Sequence, residues 1–240
     1  MLATKEKAIV NNGELRWSKI LFPFRIRAPK DIKTFYFDID IKRRDAEIFD
    51  LIKQIKREVD MLLADVEAYF IYSMVQKTEK IDGDIVEVGA YRGGSAKLIY
   101  KATINKSMHL FDTFEGLPDL SRHDAPEQFC KGSYPALFED VKNYLRDCPN
   151  ISLYKGLFPA TANPIRNKRF SFVHLDVDIY ESTLNCLDFF YSRMSRGGAI
   201  ISHDYAGSKG VRKAFNEFFE DKPEIIIEPL WTDQCLIIKV

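Results

Sequence analysis

The chain has 240 residues, 46% of them hydrophobic, 13% aromatic and 29% charged, which is enough apolar content to bury a core and excludes a disordered tail or a collagen-like repeat. Lys and Arg number 35 and Asp and Glu 35, so the net charge is zero with His neutral, and global charge selects no partner. No apolar run approaches the roughly 18 residues of a membrane span, and the start, Met1-Leu2-Ala3-Thr4-Lys5, lacks the apolar segment of a signal peptide.

Residues 1–44 carry 11 Lys and Arg against 5 Asp and Glu, a surplus of 6, so the remainder holds 24 against 30. This basic arm is aromatic, with Arg16-Trp17-Ser18-Lys19, Phe22-Pro23-Phe24-Arg25-Ile26-Arg27 and Phe35-Tyr36-Phe37, and its prolines at 23 and 29 block a long helix. Such interleaving can stack on and neutralise a nucleic acid or a phosphorylated substrate. The favoured expectation is instead an arm packed across its own domain or a partner subunit, leaving homo-oligomer formation open and nucleic acid disfavoured as a partner. From Asp45 the texture is helical: Ile48, Leu51, Ile52, Ile55, Val59, Leu62 and Leu63 recur at three- and four-residue steps, which predicts a core-facing stripe. A second helical stretch runs from Val66 to Gln76, and the two form an N-terminal helical segment over residues 45–80.

Beyond Ile81 short apolar runs alternate with amphipathic stretches, the pattern of helices packed around a mostly parallel sheet over residues 81–240. Strands are predicted at residues 85–88, 108–111, 151–154, 170–175, 199–202, 225–227 and 235–240, and helices at 95–104, 137–146, 182–194 and 209–219. The last two strands have no crossover helix between them and are expected to pair antiparallel. Cys130, Cys148, Cys186 and Cys235 are too scattered for a zinc site or a disulfide framework, and a reducing cytoplasm is the expected home.

In such sheets ligands bind beyond the carboxyl ends of the strands. The first of these strands runs into Glu87-Val88-Gly89-Ala90-Tyr91-Arg92-Gly93-Gly94-Ser95, a glycine-rich turn whose backbone can approach a ligand closely. The second ends at Asp112, 23 residues past Gly89, where a carboxylate can bridge the hydroxyls of a ribose. A dinucleotide fingerprint would space its glycines G-x-G-x-x-G, but Ala90 and Tyr91 follow Gly89 here, and the acid Glu87 repels a pyrophosphate while attracting an ammonium. His109 and His174 lie within strands and read as core residues; His123 lies in the long connection Leu120 to Pro135, which can serve as a lid or as a surface loop.

The run Gly83-Asp84-Ile85-Val86-Glu87-Val88-Gly89-Ala90-Tyr91-Arg92-Gly93-Gly94-Ser95, then Phe111-Asp112-Thr113-Phe114-Glu115-Gly116-Leu117-Pro118, resembles the macrocin O-methyltransferase family of S-adenosylmethionine-dependent enzymes. Leu175-Asp176-Val177-Asp178-Ile179-Tyr180-Glu181-Ser182-Thr183, Gly197-Gly198 and His203-Asp204-Tyr205 extend the resemblance over about residues 81–220. It implies an α/β, Rossmann-like class I methyltransferase fold, a seven-stranded sheet with its last strand antiparallel and helices on both faces. It also implies S-adenosylmethionine held at its amino-acid end by Glu87, Gly89, Ala90, Tyr91, Arg92, Gly93, Gly94 and Ser95, and at its ribose by Asp112, with Thr113 and Phe114 flanking the nucleoside. Adenine is expected near Gly156 to Phe158, where a glycine gives room and Phe158 a stacking face. Asp178 and Tyr180 are expected to shape the pocket, and Ser182 or Thr183 to cap a helix.

The family's metal-dependent members imply magnesium on an aspartate matching Asp176 and on a pair of adjacent aspartates, of which Asp204 matches the second while His203 replaces the first. Imidazole suits manganese, zinc or iron better than magnesium. Asp176, His203 and Asp204 are therefore the expected metal and catalytic residues, with His203 as a general base if no metal is used. The expected activity is O-methyl transfer to a small hydroxylated acceptor, with sugars or glycosylated natural products favoured by the resemblance. The alternatives are a nicotinamide-dependent oxidoreductase and a non-catalytic binding module on the same fold.

Overall fold

The computed structural model describes residues 9–11, 14–16, 26–27 and 45–240. The chain divides into two units, Met1–Ala46 and Glu47–Val240. In the first, β1 (Ile9–Asn11), β2 (Glu14–Arg16) and β3 (Ile26–Arg27) form a small antiparallel sheet in the order β1-β2-β3. What the basic aromatic arm packs against lies outside the described residues.

The second unit begins with α1 (Ala46–Glu58) and α2 (Asp65–Lys77), formed where the sequence shows its apolar stripe. Phe49, Ile52 and Ile55 are buried along α1, and Phe49 stacks on Tyr69 of α2 with centroids 5.1 Å apart. Helix α1 stops at Glu58, so the end of the stripe is not helical. Val59 to Leu63 form an irregular connection in which Leu63 is buried and Leu62 exposed.

The rest is an α/β alternation: β4 (Asp84–Val88), α3 (Gly94–Ala102), β5 (Met108–Asp112), α4 (Phe138–Tyr144), β6 (Ile151–Lys155), β7 (Phe170–Leu175), α5 (Tyr180–Phe190), β8 (Met194–Ser202), α6 (Lys209–Phe219) and β9 (Cys235–Ile238). The sheet order is β6-β5-β4-β7-β8-β9, parallel except for β9, which pairs antiparallel with β8. This sheet has six strands, not the expected seven. Residues 225–227 contribute a single bridge, Ile227 to Leu236. Pro223 and Pro229 fence the segment on both sides, and Ile225 is 73% exposed, so an apolar run that reads as a strand has neither the length nor the burial to join the ladder.

Val86, Val88, Val173 and Leu175 are buried in one core cluster with Phe170, Phe190 and Phe215. Strand order reverses between β4 and β7, whose adjacent carboxyl ends open a crevice. Two backbone bonds join these ends, Asp176 N to Val88 O at 2.9 Å and His203 N to Leu175 O at 2.8 Å, so residues that leave the sheet from β4, β7 and β8 start from one platform.

Candidate active site

A cleft opens at this crevice, and the strand ends supply its walls. The β4-to-α3 turn forms one side, with Gly89 at φ +91° and Gly93 at +82°. A Cβ on Gly89 would lie 1.8 Å from the Asp176 carbonyl oxygen, so only glycine lets β4 and β7 close up here. A Cβ on Gly94 would lie 2.8 Å from Met61, which is why the connection after α1 can lie against the turn. Asp112, at the end of β5, accepts from Tyr91 N at 2.8 Å and Phe114 N at 2.6 Å. The carboxylate is thereby aimed across the turn. Burial raises its pKa above the ordinary aspartate value even though those two amides favour the charged form.

Opposite the turn, Asp176 leaves β7 while His203 and Asp204 leave β8. His203 Nδ1 stands 3.1 Å from Asp204 Oδ2 and 3.4 Å from Asp176 Oδ1. One ligand atom from each of the three lies within 4.8 Å of the others. Two carboxylates with one imidazole form a donor set that fits a divalent ion, the nitrogen suiting manganese or a later transition metal. Asp178 adds a third acid to this wall, at φ +61°, with its carbonyl accepting from Ser208 Oγ at 3.0 Å. Burial and then the neighbouring Asp176 and Asp204 push its carboxyl well above the usual range. Burial disfavours an imidazolium at His203, but Asp176, Asp204 and Glu67 outweigh it and drive its pKa strongly upward.

The cleft brings together Gly89, Ala90, Tyr91, Arg92, Gly94, Ser95, Asp112, Thr113, Gly156, Phe158, Asp176, His203 and Asp204 from the expected set. Four expected residues, Glu87, Gly93, Phe114 and Tyr180, do not line it. Glu87 is fully buried and bonds His174 Nδ1 at 2.8 Å across the β4–β7 pair, and among the described residues its other oxygen and His174 Nε2 have no hydrogen-bond partner. Gly93 faces Val141 of α4 and Leu145 just after it, and Phe114 packs edge-on to Phe138 at 5.1 Å. Phe158 stacks on Phe190 at 5.1 Å and is only 5% exposed, so it forms a wall continuous with the core. Tyr180 points its hydroxyl to Glu217 at 2.8 Å, outside the cleft.

Several lining residues carry no local signal in the sequence. Leu62 and Leu63, read as the tail of a core stripe, form the apolar rim with Met61, and Tyr134 of the β5-to-α4 connection closes it, edge-on to Tyr91 at 6.3 Å. That connection is anchored: Asp124, only 8% exposed, accepts from Tyr180 N at 2.7 Å and from Ser121 N at 2.8 Å. Glu67 of α2, buried behind His203, was equally silent, although it is the sole charged residue between Val66 and Gln76, and an acid in an apolar helix asks for a partner.

The family profile for Macrocin-O-methyltransferase (TylF) matches residues 71–234. The chain belongs to this family. Relatives include the 8-demethyl-8-(2,3-dimethoxy-alpha-L-rhamnosyl)-tetracenomycin-C 4'-O-methyltransferase of Streptomyces olivaceus, 29% identical over 52% of this chain and 54% of that one. The mycinamicin III 3''-O-methyltransferase of Micromonospora griseorubida is 26% identical over 58% of this chain and 61% of that one. The chain thus spans between half and two thirds of the length of the relatives it matches. Among solved structures, the O-methyltransferase NovP superposes with a TM-score of 0.62 at 22% identity, covering 72% of this chain and 79% of its own. The calicheamicin methyltransferase CalS11 gives 0.58 at 14% identity, over 81% of this chain and 92% of its own. These likenesses establish the Rossmann-like methyltransferase fold, and the family match weighs against the nicotinamide oxidoreductase reading. Among the described residues no helix is long and apolar enough to cross a membrane.

Proposed function

We propose that the chain is an S-adenosylmethionine-dependent O-methyltransferase acting on a hydroxyl of a small molecule, a sugar or a glycosylated natural product, with assistance from a divalent metal. The observation that carries this reading is that one cleft joins the glycine turn, the Asp112 carboxylate and the Asp176, His203 and Asp204 cluster. Asp112, Asp176, Asp178 and Asp204 line its walls and offer carboxyl oxygens to a cation or to ligand hydroxyls. The names of the relatives, a rhamnosyl-tetracenomycin methyltransferase among them, support the acceptor class.

S-adenosylmethionine, when bound, supplies a methyl group on an electrophilic sulfonium. Asp112 retains lone pairs beyond those used by Tyr91 N and Phe114 N, and these accept from the ribose hydroxyls. The glycine turn gives backbone approach to the amino-acid end, and Thr113 and Phe158 wall the nucleoside. Asp176, His203 and Asp204 would hold the metal, whose chemistry there is to lower the pKa of the acceptor hydroxyl. Met61, Leu62, Tyr91 and Tyr134 orient the acceptor and exclude water from the side facing the connection after α1. The basic arm of residues 1–44 acts outside this machinery, on acceptor recognition or self-association, and the four free cysteines suit a reducing cytoplasm.

The test is methyl transfer from labelled S-adenosylmethionine across a library of hydroxylated metabolites, with and without chelator, beside calorimetry with S-adenosylhomocysteine and with NAD. Turnover of a glycosylated acceptor, lost with chelator and recovered with manganese, is the expected result. Binding of NAD in place of S-adenosylhomocysteine would sink the reading.

A further inference from the structure

The His203 ring lies between two sets of carboxylates. Its Nδ1 faces Asp204 Oδ2 at 3.1 Å and Asp176 Oδ1 at 3.4 Å, and its Nε2 faces Glu67 Oε2 at 3.4 Å. Glu67 is not a wall of the cleft and does not belong to the three-residue donor set, so it is no ligand itself. It is 6% exposed and is fixed from two further directions: Oε2 accepts from Ala64 N at 2.8 Å and Oε1 from Asp233 N at 2.8 Å. One carboxylate thus ties the start of α2, the loop before β9 and the residue after β8 into a rigid node.

A neutral imidazole has one N–H and one lone pair, and a carboxylate can only accept. With a cation between Nδ1 and the Asp176 and Asp204 carboxylates, Nδ1 would give its lone pair to that ion, and the one N–H would lie on Nε2, where the fixed Glu67 carboxylate accepts it. Carboxylates that hold the distal nitrogen of a histidine in this way set both the tautomer and the ring orientation of metal ligands. We infer that Glu67 is a positioning residue which fixes His203 with Nδ1 toward the carboxylate pair, making the cluster a site for a nitrogen-accepting divalent ion such as Mn2+ in preference to Mg2+. This rests on the metal-assisted reading above and adds to it a residue, an atom and a metal class. The replacement of an acid by His203 in the family's acidic pair is then compensated from α2, 136 positions away in sequence.

The experiment uses the full chain and Mn2+ alone, with free Mn2+ followed by electron paramagnetic resonance and with neither cofactor nor acceptor present. Glu67→Gln should weaken Mn2+ binding roughly 10- to 100-fold. In a His203→Ala background the same substitution should change Mn2+ affinity less than about 2-fold, because a residue that acts through His203 has nothing left to act on. An equal loss in both backgrounds, or no loss in either, overturns the inference. A readout independent of variant folding comes from the unsubstituted chain loaded with Co2+. One hyperfine-shifted imidazole N–H resonance that vanishes in deuterated water is expected from a ring bound through Nδ1 with Nε2–H held by Glu67. Absence of that resonance, or failure of the unsubstituted chain to bind either ion, also overturns the inference. S-adenosylhomocysteine affinity, measured separately, should be unchanged in Glu67→Gln; its absence in the unsubstituted chain would count against the methyltransferase reading and not against the role of Glu67.

Discussion

The two ends of the central sheet are built from the same strands and treat charge in opposite ways. At the amino end, Asp84 is held by Lys168 and by His109 Nε2 at 3.0 Å, while Lys106 bonds Gly83 O and Ser171 Oγ, each at 3.0 Å. Each ion there has a counter-ion or a carbonyl. At the carboxyl end, Asp112, Asp176, Asp178 and Asp204 line one cleft with His203, and Arg92 lies on its rim. Backbone strain follows the same division. Of the six non-glycine residues with positive φ among the described residues, Tyr91, Phe114, Tyr134, Asp178 and Asp204 all follow the carboxyl ends of strands or sit in the loop above them. One end is arranged for stability, and the other keeps uncompensated charge and strain that a ligand can relieve.

The sharpest way to break this comparison is to damage the joint from which the acidic end is built. Gly89→Ala would set a Cβ within 1.8 Å of the Asp176 carbonyl at a φ that alanine resists, so β4 and β7 would have to part. The expected loss of folding stability exceeds about 3 kcal/mol, measured by urea unfolding. A stable Gly89→Ala protein with intact cofactor binding would mean that the two strand ends are less closely locked than their geometry shows.

The next effect lies at the amino end. Asp84→Ala leaves Lys168 and His109 without their carboxylate and should cost about 1–3 kcal/mol, with no effect on S-adenosylhomocysteine binding. Burial raises the pKa of Asp84, but Lys168 and His109 outweigh it and the net shift is downward. Its contribution is therefore complete above the ordinary aspartate value and is lost as pH falls through the lower folded value. Asp112 has the opposite sign: its folded pKa is raised, so its contribution is present at low pH and is lost as pH rises through that raised value. Thermal unfolding across the acid range should resolve the two, since Asp84→Asn removes the acid-side loss and Asp112→Asn does not.

Asp112→Ala probes function at the other end. It should weaken S-adenosylhomocysteine by about 1–3 kcal/mol, roughly 5- to 150-fold, through lost charge-assisted bonds to the ribose. Calorimetry on the folded variant decides it, and unchanged affinity would remove Asp112 from the site.

The difference between the two ends also explains what was legible in the sequence. The strand ends were legible because an apolar run that stops at glycine or aspartate is a local signal; hence Gly89, Asp112, Asp176 and Asp204 all fall on one cleft. Glu87 sits in the same run, but strand alternation turns it to the face where His174 waits, and its distance from the cleft depends on strand pairing that the turn motif does not encode. Tyr134 and the Met61 to Leu63 rim come to the cleft, and Glu67 to the back of His203, from other segments of the chain, and only tertiary packing brings them there. The apolar run at 225–227 misled for the converse reason: its composition suits a strand, but the prolines on either side and its exposure deny it a partner.

The smallest expected effect tests whether surface pairing near the cleft contributes to either function or stability. Glu58, at the end of α1, accepts from Lys97 Nζ at 2.8 Å, Tyr144 Oη at 2.9 Å and Gln54 Nε2 at 2.9 Å, so one exposed carboxylate spans α1, α3 and α4. The bonds from Lys97 and Gln54 hold its pKa down to about 2. A depressed carboxylate contributes stability that is full above the ordinary glutamate value and fades as pH falls toward about 2. Solvent and salt screen a group this exposed, so Glu58→Gln should cost less than about 1 kcal/mol at neutral pH, and less again in high salt. Because Glu58 does not line the cleft that holds Asp112 and His203, cofactor and Mn2+ affinities should stay within about 2-fold of the unsubstituted chain. A larger loss of stability at low salt that fades in high salt would show that this junction is stapled by charge. The contrast would then run between a paired periphery and an unpaired site, and not between the two ends of the sheet alone.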